Sequence, residues 1–434
     1  MTLTISQWQE LNADERKAML RRPAVAQDKS IRGATRLIVD AVRRDGDRAV
    51  AEFTAKYDGA ELSDFRVSAK EFGEANAKLS ANELAALDLA IANIRKFHTP
   101  QLPEDISIET MPGVVCERRS HPIDAVGLYV PAGTAALPSA AIMLAVPATI
   151  ANCPKIFLCT PPRPDGTADP AVLVAASRAG VKEIYKIGGA QAIAAMAYGT
   201  STVPKANKIF GPGNAWVTSA KAIVSVDPDG AAVDMPAGPS EVLVIGDDTA
   251  SAEFIAADLL SQAEHGVDSQ VLFVTTDDSL ASKVQQELAV QSKQLTRKEI
   301  VAKSLQHSRI ILVNDVAMAI EVSNQYAPEH LILQIADARR ALESVRNAGS
   351  VFVGRWSPES VGDYCSGTNH VLPTYGFAKT YSGLGVDQFM RHMTVQELSR
   401  DGLKNLADAV VCLAGLEGLD AHAAAVSRRL GTAT

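Results

Sequence analysis

Cysteines, aromatic residues, basic runs and long apolar stretches are all scarce in this chain, and each scarcity removes a class of protein. The five cysteines, Cys116, Cys153, Cys159, Cys365 and Cys412, include no CxxC pair. An odd, unpatterned set of thiols argues against a disulfide framework or a thiolate zinc cluster and fits a reducing cytoplasm. A metal, if present, must sit mainly on nitrogen and oxygen ligands. No stretch reaches the roughly 18 uninterrupted apolar residues of a membrane span. The opening Met1-Thr-Leu-Thr-Ile-Ser-Gln-Trp8 has no basic segment leading into an apolar core, so neither export nor membrane insertion is expected. The net charge is −8, from 42 basic and 50 acidic residues, and no basic cluster resembles a nucleic-acid footprint. A GxGxxG fingerprint is also missing, so a standard dinucleotide site is not indicated.

What remains is a chain of 434 residues, 47% hydrophobic and 21% charged, long enough for two or three domains with a large core. Residues 1–30 read as a helical arm with Trp8, Leu11 and a basic patch. From 31 to 98, Ile38, Val42, Val50, Phe53, Leu84, Leu87, Ile91, Ile94 and Phe97 recur at helical spacing, which predicts two long amphipathic helices. Extended segments follow at Val114–Cys116 and Ala125–Val130. The middle then alternates strand with helix. Strands are expected at 156–159, 183–187, 208–210, 241–245, 270–274, 309–313, 331–334 and 350–353. Continuous apolar strands separated by helices predict parallel sheets covered on both faces, an α/β fold of two Rossmann-like domains. The polar break Asp234-Met-Pro-Ala-Gly-Pro-Ser240 is the expected boundary between them. The expected units are 1–30, 31–237, 238–380 and 381–434, the last an alanine-rich helical tail without strands.

Several polar constellations carry chemical potential. In Asn324-Gln-Tyr-Ala-Pro-Glu-His-Leu331 an acid and a histidine precede an apolar run. Adjacent residues of an extended segment point to opposite sides, so Glu329 and His330 could serve two proton-transfer tasks, or simply decorate a surface. Three glycine-bearing turns, at 129–133, 188–191 and 210–214, follow strands and precede helices, where free N–H groups suit an anionic ligand. Each alone reads equally as a tight turn. Asp258, Gln262 and His265 share one helix face; they are a solvent face, or a metal-ligating pair with Asp258 steadying it from one turn away. The segment 356–370 is polar and glycine-rich without periodicity, the pattern of a functional loop. Asp363 there is a candidate carboxylate ligand and His370 a candidate substrate contact. Glu417 and His422 lie on the helical tail. One Gln, one Asp and two His would make an all-N/O site suited to zinc or manganese.

Gly127-Leu-Tyr-Val-Pro-Ala-Gly133, Gly188-Gly-Ala-Gln-Ala-Ile193, Ile209-Phe-Gly-Pro-Gly-Asn214 and Asp234 to Glu241 occur in that order. Leu260-Ser-Gln-Ala-Glu-His-Gly266, Asn324 to Leu331 and Gly362 to Pro373 complete the set. Together they resemble the histidinol dehydrogenase family over nearly the whole chain. The resemblance implies a fold similar to the aldehyde-dehydrogenase architecture. It implies oxidation of L-histidinol to L-histidine through an aldehyde with two NAD⁺, and a homodimer in which Glu417 and His422 serve the neighbouring site. By the same resemblance Gln262, His265, Asp363 and His422 bind zinc, which orients the substrate's nitrogens. His330 takes the hydroxyl proton and Glu329 activates water. Ser240, His370 and Glu417 contact substrate, with Gln262, His265, His330, Asp363 and His422 completing that pocket, while Tyr129, Gln191 and Asn214 contact NAD. Cys365, near the site loop, is expected to be a packing residue and no nucleophile.

Two rival functions remain. A paralogue oxidising another polyol or amino alcohol should have altered the groups that read amine and imidazole. A catalytically dead NAD- or metabolite-binding regulator should have lost Glu329, His330 or the ligand set.

Overall fold

The computed structural model describes residues 3–23, 29–132, 136–236 and 238–432. Its strands are β1 Thr4–Gln7, β2 Ile106–Met111, β3 Val114–Pro122, β4 Ala125–Tyr129, β5 Lys155–Thr160, β6 Glu183–Lys186 and β7 Lys208–Phe210. They continue with β8 Ala232–Val233, β9 Glu241–Gly246, β10 Gln270–Thr275, β11 Arg309–Leu312, β12 His330–Gln334, β13 Ser350–Val353 and β14 Met390–Leu398. Two parallel sheets result, with strand orders β6-β5-β4-β7-β8 and β1-β11-β10-β9-β12-β13. An antiparallel ribbon, β14-β3-β2, is the third.

The apolar runs explain the parallel sheets. On β9, Val242 and Val244 enter one core while Leu243 and Ile245 enter the other, and β10 divides Val271 and Phe273 from Leu272 and Val274 in the same way. A sheet buried on both faces tolerates apolar residues at every position. Each such side chain taken fully from water contributes about 1.5–3 kcal/mol. Helices carry the covering faces, and no helix among the described residues is long and apolar enough to cross a membrane.

The expected pair of helices over 31–98 is instead four: Lys29–Asp45, Asp47–Asp58, Ala69–Lys78 and Ala81–His98. Local chemistry cuts them. Gly46 and Gly59 adopt positive φ at helix junctions, and Ser68 and Ser80 cap the last two, Ser80 in a capping box with Glu83. The N-terminal arm is not helical throughout, because Thr4–Gln7 adds a parallel edge strand beside β11. Strands also do not stop at residue 380. β14 pairs along its whole length with β3 before the tail helices Arg400–Leu416 and Asp420–Leu430 begin.

The chain passes from the first parallel sheet to the second between Val233 and Glu241. That crossing sets the carboxyl end of β4 opposite the amino ends of β9 and β12, and a cavity opens between them.

Candidate active site

The cavity occupies about 1060 Å³. Tyr129, Gln191 and Asn214 line it from the first sheet, and Ser240, His265, Glu329, His330, Asp363 and His370 from the second. Residues spread over more than 240 positions of sequence thus share one space.

Glu329 and His330 depart from the opposite-sides expectation. His330 is the first residue of β12, held in register with Val242 and Ser350. Glu329 precedes the strand, in a turn that begins at Ala327 with φ of 55°. Its side chain folds back, so that Oε2 accepts from the Glu241 N–H at 2.8 Å and lies 3.6 Å from His330 Nδ1. Both residues are buried and face the same cavity. Burial pushes the Glu329 carboxyl up to about 8, against the pull of His330 and the Glu241 N–H. Burial opposes charge on His330, but the carboxylates of Glu329, Glu359 and Asp363 outweigh it and raise the ring to about 10. His330 Nδ1 lies 3.2 Å from the Glu241 carbonyl. Nε2 is buried without a hydrogen-bond partner and 3.6 Å from Asp363 Oδ1.

Next to this pair lies a cluster of metal-compatible donors. Gln262 lies in the last turn of the helix Ala252–Ala263, and the chain turns at once to bring His265 to the cavity wall, its N–H bonding back to the Gln262 carbonyl. His265 Nδ1 lies 3.3 Å from Ser240 Oγ. Loss of solvation lowers its affinity for a proton, against the pull of Asp363, which suits a neutral ligand imidazole. Segment 356–370 is not wholly irregular, since Glu359–Tyr364 forms a short helix. It sets Glu359 and Asp363 four residues apart on one face. Ligand atoms of His265, Glu359 and Asp363 all lie within 4.8 Å of one another. Asp363 stays below the usual carboxylate range: burial opposes this, but His330 outweighs it. His370 Nδ1 lies 2.9 Å from the Asp363 carbonyl, and burial pushes the ring towards its neutral form.

Glu359 is the residue the sequence reading missed. Its carboxylate meets the Gln262 amide nitrogen at 2.6 and 2.9 Å in the orientation the hydrogen bonds favour, which turns the amide oxygen towards His265. The i, i+4 spacing of Glu359 and Asp363 was the available signal. Asp258 does not touch Gln262 or His265 through any described hydrogen bond; its Oδ2 accepts from Gln334 Nε2 at 2.9 Å on β12. The steadying contact expected from Asp258 is made by Glu359.

On the opposite wall, two of the three glycine turns behave as helix entrances. Gly189 opens the helix Gly189–Tyr198, and its N–H donates to the Tyr129 hydroxyl at 2.9 Å. Gln191 Nε2 donates to Asp58 at 3.3 Å, and burial pushes that carboxyl up to about 6. Asn214 caps the helix Ala215–Val224, accepting from the N–H groups of Trp216 and Val217. Gly211 takes φ of 127° with the Tyr129 carbonyl 2.1 Å from where a Cβ would stand, so no side chain fits. Beneath it Lys221 and Asp234 pair, and each bonds a Gly211 backbone group. The 129–133 turn falls partly outside the described residues, at Gly133.

Glu417 and His422 do not join this cavity within one chain. Glu417 closes the helix Arg400–Leu416, His422 lies on Asp420–Leu430, and both are exposed. Cys365 is half-buried against the apolar cluster around Ile94, Leu128 and Leu144, and its carbonyl accepts from Asn93.

The histidinol dehydrogenase family model matches residues 20–430. The chain belongs to the histidinol dehydrogenase family. A histidinol dehydrogenase of Vibrio vulnificus (strain YJ016) is 53% identical over 423 residues, covering 98% of this chain and 97% of that protein. One from Xanthomonas campestris pv. campestris (strain ATCC 33913 / DSM 3586 / NCPPB 528 / LMG 568 / P 25) is 51% identical over 426 residues, covering 98% and 99%. The crystal structure of histidinol dehydrogenase from Elizabethkingia anophelis matches with a TM-score of 0.95 at 44% identity, covering 99% of this chain and 98% of that one.

Proposed function

We propose that this chain catalyses the NAD-dependent, four-electron oxidation of L-histidinol to L-histidine through L-histidinaldehyde, the last steps of histidine biosynthesis, with zinc in the site. The carrying observation is that one cavity is lined both by the Glu329–His330 pair and by Tyr129, Gln191 and Asn214. Family membership supplies the substrate.

The residues present fit a metal: ligand atoms of His265, Glu359 and Asp363 lie within 4.8 Å of one another, with Asp363 3.6 Å from the buried, unpartnered His330 Nε2, and Gln262 would add its amide oxygen from beside His265. Zinc held there would be an orienting template for the substrate's imidazole and amino nitrogens, and NAD⁺ would supply the hydride acceptor in each half. Tyr129, Gln191 and Asn214 would bind NAD in the unit 31–237, and the unit 238–380 would hold substrate and metal. The positive charge of a metal held beside Asp363 would oppose a proton on His330 and favour the neutral base.

In the first half, His330 Nε2 takes the hydroxyl proton while the carbinol C–H leaves as hydride, and C=O forms. In the second, Glu329 takes a proton from water as its oxygen bonds the aldehyde carbon, and the hydrate C–H leaves as hydride. A carboxyl with a proton affinity near neutrality is matched to that task. Ser240, His370 and Glu417 would contact the substrate.

Glu417 and His422, exposed on the tail, would complete the neighbouring site of a homodimer through residues 381–434. Leu413 and Leu416, exposed on the same tail, support a partner surface there. The test is Glu329→Gln on L-histidinol in single turnover. One NADH per substrate with aldehyde released supports the division of labour. Two would contradict it.

A further inference from the structure

Arg22 of the N-terminal arm reaches the segments that flank the acid–base pair. Arg22 Nη2 donates to Glu241 Oε2 at 2.8 Å, to the Tyr326 carbonyl at 2.9 Å and to the Ala327 carbonyl at 3.2 Å. Its Nε pairs with the other Glu241 oxygen, and its guanidinium stacks 3.9 Å from the Tyr326 ring centre. Glu241 is buried and also accepts from the Tyr375 N–H at 2.7 Å. The Tyr375 hydroxyl returns to the arm, donating to the Pro23 carbonyl at 2.7 Å. The arm is therefore tied to three segments at one point.

That point sits beside Glu329. The Glu241 N–H holds the Glu329 carboxylate, and the two carbonyls that Arg22 grips belong to the turn leading into Glu329. Ala327 keeps a left-handed conformation unusual for a residue with a side chain, which persists only where surrounding contacts enforce it. The His330 backbone, by contrast, is fixed by the β12 ladder to β9 and β13, and of Glu241 its ring meets only the main-chain carbonyl, which the β9 ladder holds, not the side chain that Arg22 grips. A planar five-donor fork can grip a carboxylate and two carbonyls at once; an ammonium cannot reproduce that geometry.

We infer that Arg22 is a positioning residue for the second oxidation, holding the Glu329 turn through Glu241 and the Tyr326 and Ala327 carbonyls. The inference rests on the proposed roles of Glu329 and His330. Removing the fork leaves the first hydride transfer in place and misplaces the water-activating carboxylate.

The test uses the full-length, zinc-loaded protein with Arg22→Lys and the double variant Arg22→Met/Glu241→Gln. Lys keeps the cation, and the double variant leaves no unpaired buried charge, so the fork is removed without stranding Glu241. The rate of the first NADH from L-histidinol, the KM for L-histidinol, and kcat with L-histidinaldehyde are measured separately. Expected is a loss of about 10- to 100-fold in kcat on the aldehyde, with the first NADH and KM unchanged, in both variants. Equal losses in both halves would overturn the inference. So would full activity of the double variant, which would reduce Arg22 to a counter-charge. Wild-type protein in the same assay separates the premises: two equivalents from wild type with no selective loss in the variants sinks the inference alone. Fewer than two from wild type sinks the reading of Glu329 and the inference with it.

Discussion

Replacing Asp258 by Asn separates a structural carboxyl from the candidate metal site. The Asp258 carboxyl is buried and accepts from Gln334, and desolvation raises it from 3.8 to about 7. The folded chain therefore prefers the neutral acid. Stability from this group is fully present below the unfolded value near 4 and falls as pH rises, levelling off once pH passes the folded value near 7. At about 1.4 kcal/mol per tenfold change in proton affinity, the ionised form costs the fold on the order of 4 kcal/mol. Asn keeps the oxygen that accepts from Gln334 and has no charge to bury. It also removes a negative neighbour of Glu359, whose own carboxyl burial holds well above its ordinary range, with Asp258 adding to the effect. Urea denaturation of chelated wild type and Asp258→Asn is compared from pH 4 to pH 8. The variant should match wild type at pH 4 and gain steadily to a plateau above pH 7. Zinc retention through dialysis should be unchanged, because Asp258 bonds β12 and no candidate ligand. A pH-independent difference would refute the burial argument, and loss of zinc would restore Asp258 as a support of the ligands.

Other consequences concern the metal, the cofactor turn and the thiols. Glu359→Gln should weaken zinc binding by about 10- to 100-fold in competition with a chromophoric chelator, because it loosens the Gln262 amide; unchanged affinity would remove Glu359 from the site. Gly211→Ala should lower stability by about 1–3 kcal/mol and weaken NADH binding, since its Cβ would strike the Tyr129 carbonyl in a backbone region reserved for glycine. Equal melting and equal fluorescence titration would contradict that. Cys365→Ala should keep both oxidations, as the thiol packs and only the carbonyl is engaged; collapse of the second oxidation would make it a nucleophile.

Much of the fold was legible because parallel strands buried on both faces must be apolar at every position. All eight strands expected between residues 156 and 353 are present with ends shifted by one or two residues at most. The strands that escaped detection, β1, β2, β8 and β14, are short or lie in partly exposed edges, where polar residues are tolerated and the pattern fades. Helix cutting over 29–98 was written in Gly46, Gly59, Ser68 and Ser80, but apolar periodicity passes over such caps.

The site was legible residue by residue and not in its geometry. Sequence placed Glu329 and His330 together but on opposite sides, because the left-handed turn at Ala327 has no signature in a residue that is not glycine. Asp258 drew notice by sharing a helix face with Gln262, yet which neighbour a buried carboxylate meets is decided by tertiary packing. Glu359 does that work from a segment distant in sequence. Arg22 carried no signal, because its partners lie more than 200 residues away.

The most direct test of the central claim is the number of NADH molecules formed per L-histidinol by the purified protein, before and after chelation. Two equivalents, lost on chelation and regained with Zn²⁺, are predicted. One equivalent with aldehyde released, or two that survive complete removal of metal, would contradict the account.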